Sequence, residues 1–294
     1  MKRGLWTLLW IVAATITCSA QNMSYFPQIA DGQAGGIVWT TAIAITNPAA
    51  TGTSAATGTI TFTQDNGTAF NSVFTNLQGQ PVGSGNTIPF QLSGGQSSYF
   101  VSTGAGALTV GFGTVTSSLP VTAGAVFQEN VDIGKGPDGP IISWGGVAAV
   151  APLTRQAVFV HVNQKGADTG VAIANPGTAT ANITFQLLDT NGVATGSAIN
   201  TTLAAMNHTA KFVSQLFPSV VGPTEFLGTM QITSQTPLVA TGLFFSSDGH
   251  FATVPVITLA SLFNPAIEWL DQRPWRNPFE SLARLVAGMQ FKLC

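Results

Sequence analysis

The chain has 294 residues, a length that fits one large domain or two domains of ordinary size. Charged residues make up 7% of the chain and hydrophobic residues 45%, whereas typical soluble domains are roughly 25% charged. This composition excludes a disordered chain, which needs low hydrophobicity and high charge. The net charge of -2 also excludes a nucleic-acid-binding surface, which needs clustered Lys and Arg.

Residues 1–20 predict a cleaved signal peptide. Two basic residues precede an apolar run at residues 5–16 and a small-residue site that ends at Ala20. The run is too short to cross a bilayer as a helix, so we expect a secreted protein, extracellular or at the cell surface, with no integral membrane span. Lipid attachment at Cys18 is the alternative. After cleavage, Cys294 is the remaining cysteine, so no intramolecular disulfide is expected.

The chain then repeats itself, which predicts two homologous domains. Segment 41–48, Thr-Ala-Ile-Ala-Ile-Thr-Asn-Pro, returns at 169–176 as Thr-Gly-Val-Ala-Ile-Ala-Asn-Pro. The other collinear matches are 58–67 with 181–192, 100–102 with 212–214, and 111–127 with 228–244. We therefore expect repeat 1 at residues 24–128 and repeat 2 at residues 153–258.

Each repeat has the pattern of short antiparallel strands. Apolar residues alternate with Thr, Ser, Ala or Asn, as at Ile43 and Ile45, which is the period of a half-buried strand. Segments 65–67 and 189–192 predict equivalent tight hairpins in which Asn and Gly both take positive φ. The predicted fold class is all-β, with two tandem immunoglobulin-like antiparallel β-sandwiches followed by a C-terminal amphipathic helix.

The opening of repeat 1 carries four short motifs, Phe26-Pro27, Asp31-Gly32, Thr40-Thr41 and Asn47-Pro48. In this order they resemble the F-P-x-x-x-D-G, T-T and N-P motifs of tandem β-sandwich repeat units in secreted, largely uncharacterised bacterial surface proteins. The resemblance covers nearly all of residues 24–258 and implies an extracellular β-rich module, with no catalytic or ligand-binding residue to carry over. Repeat 2 departs from it at its opening, where Phe159-Val160-His161 replaces Phe-Pro.

Residues 129–152 are predicted to be a linker, because residues 134–140 are rich in Gly and Pro. Trp144 lies in this linker, and Trp39 precedes a core strand. Each of the two is a candidate for ligand binding by stacking. Packing is the more frequent use of a large aromatic side chain, so we expect both to be packed.

No catalytic residue, metal ligand or cofactor is predicted, and we expect no enzyme. His161, His208 and His250 lack metal-ligand spacing, and we expect them not to converge. The sequence has no G-x-S-x-G motif for an acyl-transfer nucleophile. Most Asp and Glu residues between 21 and 258 lie beside Gly or Asn, which indicates turns.

The tail, residues 259–294, differs in composition because it concentrates charged residues. Asn277 is a predicted helix cap, followed by Pro278 at the first helical position and Glu280 in a capping box. The apolar residues after it fall on one helical face. This helix is expected to dock on its own domain, with a partner or a membrane surface as the alternative.

These observations predict a secreted, non-catalytic protein of surface structure, adhesion or protein interaction. The candidate partners are other surface proteins, copies of the same chain, and polysaccharide. A carbohydrate-binding accessory module is the alternative. Such a module would expose coplanar aromatic side chains on one sheet face, which distinguishes it from the first interpretation. An extracellular hydrolase with an unrecognised site is the second alternative. Because so few charges protect the strand edges, some edges are expected to be covered or used for association.

Overall fold

The computed structural model describes residues 21–132, 134, 139–221 and 225–259. The described residues up to Ile257 belong to one compact unit. The predicted signal peptide and the predicted C-terminal helix lie outside the described residues.

The described part is all-β with antiparallel sheets, which confirms the predicted class. The first ten strands pair into one sheet system. They are β1 (Asn22–Ala34), β2 (Ile37–Thr46), β3 (Ala56–Gln64), β4 (Phe74–Thr75), β5 (Pro81–Val82), β6 (Thr87–Leu92), β7 (Ser97–Ser102), β8 (Thr109–Ser117), β9 (Thr122–Val131) and β10 (Ile141–Ala148).

The remaining eight strands pair into a second sheet system, interrupted by two short helices. These elements are β11 (Leu153–Val162), β12 (Asp168–Ala174), β13 (Ala181–Asp189), β14 (Ala194–Leu203), β15 (His208–Phe212), α1 (Val213–Leu216), α2 (Pro218–Val221), β16 (Phe226–Phe245), β17 (Phe251–Val254) and β18 (Val256–Thr258).

In the first system the strand order is β5-β4-β7-β2-β1-β8-β3-β6, and β9 joins β2 to β10. Strand β1 belongs to two layers, because Tyr25 pairs with Thr114 of β8 while Gly32 pairs with Trp39 of β2. The β1–β8 register shifts between Phe26 and Ile29, which marks a β-bulge.

In the second system the long strand β16 takes the joining role. Its first half pairs with β11 and β13, and its second half pairs with β12 and β17. Strand β14 pairs with β13 and forms one end of the order β14-β13-β16-β11-β18.

Residues 141–148, inside the predicted linker, form β10. This strand lies beside β9, with Gly145 opposite Phe127. Its contact with repeat 2 includes a hydrogen bond of 3.0 Å from the Phe251 N–H to the Ser143 hydroxyl. The segment is therefore part of the ten-stranded system and not only a connection.

Each sheet system has its own apolar core, and smaller clusters join the two. The first core contains Phe26 and Phe62, and the second contains Val158 and Met230. The joining clusters combine residues from both repeats: Tyr25, Phe112, Ala174 and Val239 in one, and Phe127, Val147, Leu243 and Phe251 in the other.

The matched Thr residues of the two repeats make the same hydrogen bonds. The Thr41 hydroxyl donates to the Ala30 carbonyl at 2.7 Å and accepts from the Ala30 N–H at 3.3 Å. The Thr169 hydroxyl makes the same two bonds with His161, at 3.1 Å and 3.0 Å. A buried hydroxyl thus connects adjacent strands at equivalent places.

The Asn of each N-P motif is also buried and hydrogen-bonded. The Asn47 amide donates to the Leu92 carbonyl at 3.0 Å, and the Asn175 amide donates to the Leu203 carbonyl at 3.0 Å. Both residues close a strand end by satisfying carbonyls that would otherwise be buried without a donor.

The two hairpins differ from the prediction. The Gly67 N–H donates to the Gln64 carbonyl at 3.0 Å, and the Gly192 N–H donates to the Asp189 carbonyl at 3.0 Å. Gln64, and not Asp65, therefore occupies the place of Asp189. The glycines have positive φ, at 81° and 78°, but the asparagines before them do not. A single left-handed residue closes each turn, so the expectation of two was wrong.

Candidate functional site

Trp144 lies on β10 with 64% of its surface exposed. The strand buries Ser143, Gly145 and Val147 and turns the residues between them outward. The prediction that Trp144 packs the linker against a sandwich is therefore wrong, because strand alternation directs its side chain away from the protein.

The outer face of strands β7, β2, β9 and β10, named here the Trp144 face, is uncharged. Its cross-strand rows follow from the pairing and comprise Tyr99, Val101, Thr40, Ala42, Ala44, Gly124, Val126, Gln128, Trp144, Gly146 and Ala148. Tyr99 is 38% exposed and Val126 is 40% exposed. The face is thus rich in small residues, with two exposed aromatic side chains.

Trp39 is half-buried between the repeats. Its ring stacks on Phe251 of β17 with 5.7 Å between centroids, and Phe251 also stacks on Phe127 of β9 at 5.3 Å. A further contact places Phe245 of β16 5.6 Å from Phe251. Trp39 therefore packs in an aromatic cluster that both repeats build.

A cavity of about 390 Å³ lies beside this cluster, between the repeats. Its walls are mostly apolar and come from β1, β2, β8, β9, β12, β15, α1 and β16. The lining residues are Gln28, Ala30, Trp39, Leu108, Val110, Phe127, Gly170, Val171, Ala210, Lys211, Phe212, Gln215, Leu243 and Phe245. The sequence named Trp39 as a candidate but gave no sign of the other walls, which lie far apart along the chain.

The three histidines lie in different places, and each pairs with a different carboxylate. His161 Nε2 is 2.7 Å from Glu225 Oε1, and the exposed His250 contacts Asp248 at 3.1 Å. The third pair, His208 with Asp65, is described next. This placement agrees with the prediction that the three histidines do not converge.

The His208–Asp65 pair joins the two repeats. His208 Nδ1 is 2.6 Å from Asp65 Oδ1, and the His208 side chain is fully buried. The backbone N–H of His208 also donates to the Asp65 carbonyl at 3.1 Å. The sequence explained Asp65 by turn chemistry, whereas its carboxylate reaches across to repeat 2.

Two acidic residues of the ten-stranded system, Asp31 on β1 and Glu129 on β9, are buried. Asp31 accepts hydrogen bonds from the Ser72 hydroxyl at 2.5 Å and the Gly104 N–H at 2.8 Å, and burial raises its pKa against the effect of these donors. Burial also raises the pKa of Glu129 from 4.5 to about 7, while the charge of nearby His250 opposes the shift. Asp31 and Glu129 lie on strands β1 and β9, so these two are exceptions to the expectation that most acids lie in turns.

Among the residues that the structure describes, strand β14 is an edge of the eight-stranded system, and Val220 of α2 packs on it at Gly196. The strand is 10 residues long and mostly exposed, and β13 is its pairing partner in the order of the eight-stranded system. The β13–β14 register shifts between Phe185 and Leu187, so pairing is regular from Ile199 to Leu203. The strand contains no charged residue and no proline.

Within the part of the chain that the structure describes, no helix is long and apolar enough to cross a membrane. The same residues contain no group of three or more His, Cys, Asp or Glu that could hold a metal ion. Comparison with protein-family models and with curated proteins gives no match to this chain. The resemblance of repeat 1 to units of secreted bacterial proteins therefore stays a prediction.

Proposed function

We propose that this chain is a secreted, non-catalytic protein of the cell surface or extracellular space that associates with copies of itself. Its two repeats are two tandem immunoglobulin-like β-sandwiches, and its role is surface structure, adhesion or protein interaction. The observation that supports this proposal best is the edge strand β14.

An exposed edge strand presents unpaired N–H and C=O groups, and soluble proteins usually protect such edges with Lys, Pro or covering segments. The equivalent edge of repeat 1 is β6, which pairs with β3 as β14 pairs with β13. Strand β6 has 6 residues and carries the exposed Pro89. Strand β14 has 10 residues and contains neither Lys nor Pro.

A second copy of the chain is the partner that fits this edge. Residues 199–203, Ile-Asn-Thr-Thr-Leu, are uncharged, so two β14 strands can pair antiparallel without like-charge repulsion. Strand addition of this kind gains main-chain hydrogen bonds along the whole regular segment.

The strand register defines the test. Pro89 pairs with Thr59, and Asn200 pairs with Thr184. These two pairs are equivalent, because Thr59 also pairs with Thr116 of β8 and Thr184 with Thr233 of β16. A proline at position 200 therefore copies the protection that β6 already has.

We expect residues 21–294 to form dimers or larger assemblies in sedimentation velocity, and Asn200→Pro to shift them to monomer. Asn200→Ala is the matched control, because it removes the same side chain but keeps the backbone N–H. It should associate as the unmodified chain does. A monomeric unmodified chain, or equal association of the proline variant, contradicts the proposal.

Carbohydrate binding is the second candidate, favoured by the Trp144 face. Tyr99 and Trp144 are exposed on this same uncharged face. They lie three strands apart and, from the row of Gly124 to the row of Gln128, four residues apart along the strands, which together is about 20 Å. Two aromatic rings at this separation suit an extended polysaccharide more than a single sugar.

Pull-down with insoluble cellulose and chitin tests this candidate. We expect Trp144→Ala to lose retention, whereas Phe159→Ala, which removes an aromatic side chain of repeat 2 that is 42% exposed, should keep it. If neither polysaccharide retains the chain, or if Trp144→Ala binds normally, the Trp144 face is not a sugar-binding surface.

A further inference from the structure

We infer that the cavity between the two repeats binds a small apolar carboxylate, with its apolar body against the aromatic walls and its carboxylate at Lys211. This site does not depend on the β14 edge or on the Trp144 face.

The size and the walls of the cavity suit a small ligand. Its volume of about 390 Å³ falls within the range of roughly 300 to 1,000 Å³ that is common for ligand sites. Its walls include four aromatic side chains, Trp39, Phe127, Phe212 and Phe245. Flat rings and hydrocarbon chains both gain contact against such walls.

Gln28 supplies a polar group that the protein itself leaves unused. The residue is 6% exposed, and its Oε1 atom has no hydrogen-bond partner among the described residues. The β-bulge between Phe26 and Ile29 places Gln28 on the cavity side with Ala30, while Phe26 and Ile29 face the core. Bulges often re-aim a side chain towards a site. The unpartnered Gln28 Oε1 is an acceptor, so a ligand group that meets it must be a hydrogen-bond donor and not the carboxylate itself.

Lys211 gives the site its charge preference. Among the described residues that line the cavity, Lys211 alone is charged. No carboxylate of the described residues forms an ion pair with it. The other described cations, Arg155 and Lys165, are not part of these walls. The long apolar stem of a lysine can lie along an apolar wall while its ammonium group meets an anion at the opening.

Isothermal titration calorimetry of residues 21–294 tests the assignment with three probes: 2-naphthoate, decanoate and the neutral 2-naphthamide. We expect saturable one-to-one binding of at least one carboxylate, and the comparison of the two tells whether the natural ligand has an aromatic or an aliphatic body. 2-Naphthamide should bind about threefold to fivefold more weakly than 2-naphthoate, the size of a partly exposed ion pair.

Lys211→Met keeps most of the side-chain volume and removes the charge. It should weaken 2-naphthoate about threefold to fivefold and leave 2-naphthamide unchanged, while Lys165→Met changes neither. Equal binding of the acid and the amide to the unmodified chain overturns the carboxylate assignment. Binding of neither carboxylate overturns the site.

Gly170→Val tests the location. A Cβ on Gly170 would lie 3.5 Å from the Phe245 ring and 3.7 Å from the Phe212 ring, so it enters the cavity without a clash. Added methyl groups should occupy the ligand's place and reduce binding of all three probes by tenfold or more. Gly146→Val, on the Trp144 face, is the control and should bind normally. Circular dichroism checks that both variants fold, and unchanged binding by a folded Gly170→Val places the ligand elsewhere.

Discussion

The two repeats share their internal hydrogen bonds but differ in the surfaces that they present. Thr41 and Thr169 bind the preceding strand in the same way, and Asn47 and Asn175 close equivalent strand ends. The edges of the two repeats differ, because β6 carries Pro89 and β14 carries no proline. Polar residues that satisfy buried backbone groups are thus kept in both copies, while exposed strands differ.

The two repeats also resemble each other where the chain passes from one sheet layer to the other. In repeat 1, β8 and β9 are separate strands with Pro120 between them, whereas in repeat 2 the single strand β16 contains Pro237. Pro237 lies between Ser234, which pairs with β13, and Leu238, which pairs with β11. Both prolines occupy a place where no ladder hydrogen bond is needed.

The largest expected effect tests whether the repeats share a close backbone approach. A Cβ on Gly111 would lie 1.9 Å from the Thr63 carbonyl oxygen, and a Cβ on Gly228 would lie 2.1 Å from the Leu188 carbonyl oxygen. Gly111→Ala and Gly228→Ala should each lower the free energy of unfolding by about 3 kcal/mol or more. Denaturant unfolding measures this loss. Gly124→Ala, where a Cβ meets nothing within 4 Å, should change stability by less than about 0.5 kcal/mol.

A clearly smaller loss of stability for one of the two glycine variants would mean that the repeats do not share this close backbone approach.

The next effect concerns Glu129, a buried acid of the ten-stranded system. Because burial raises the pKa of Glu129 from 4.5 to about 7, the folded chain holds the proton more tightly than the unfolded chain between these values. The free energy of unfolding should therefore fall by up to about 3 kcal/mol as pH rises from 4.5 to 7. Glu129→Gln should remove the part of this decrease that Glu129 causes. Thermal and denaturant unfolding from pH 4 to pH 8 measures the free energy of unfolding of both proteins.

His250 lies near this carboxyl group and pairs with Asp248, and both residues are unchanged in the variant. Asp31 and Asp168 also have raised pKa values, so they add a fall of the same sign to both proteins. The free energy of unfolding is plotted against pH for the unmodified chain and for Glu129→Gln, and the difference between these two curves isolates Glu129. Parallel curves would show that the Glu129 carboxylate is solvated.

A moderate effect is expected where the repeats meet. Asp65→Ala removes the acceptor for the buried His208 ring and should lower the free energy of unfolding by about 1 to 2 kcal/mol. Asp65→Asn keeps an oxygen in place and should lose less. Unfolding followed by Trp fluorescence and by circular dichroism measures both. No loss in the alanine variant would mean that this contact does not help to join the repeats.

The smallest effect sharpens the comparison of the edges. Pro89→Asn removes the protection of β6 and should modestly increase self-association in sedimentation velocity, since one more edge N–H becomes available. The short length of β6 limits the gain, so the increase should stay below the decrease caused by Asn200→Pro. A larger gain from β6 would point to the edge of repeat 1 as the main contact.

Local features of the sequence predicted much of the fold. The alternation at Ile43 and Ile45 predicted a strand, because side chains on a strand point to opposite faces in turn. The repeated N-P motifs predicted strand ends, because proline lacks the N–H of a ladder. The hairpins were predicted at the right glycines, although the match of Asp65 with Asp189 was off by one place. Alignment of letters does not fix strand register, which depends on partners elsewhere in the chain.

The sequence by itself therefore determined the strand period, the turn glycines and the duplication, since each depends on residues close together in the chain or on their direct repetition. The tertiary structure alone decided that Trp144 points outward, that β14 is an edge, and that Gln28 and Lys211 line one cavity. These features depend on which strands pair, in which register, and on how the repeats pack together. Contacts between residues far apart in the chain set them, and no local pattern records those contacts.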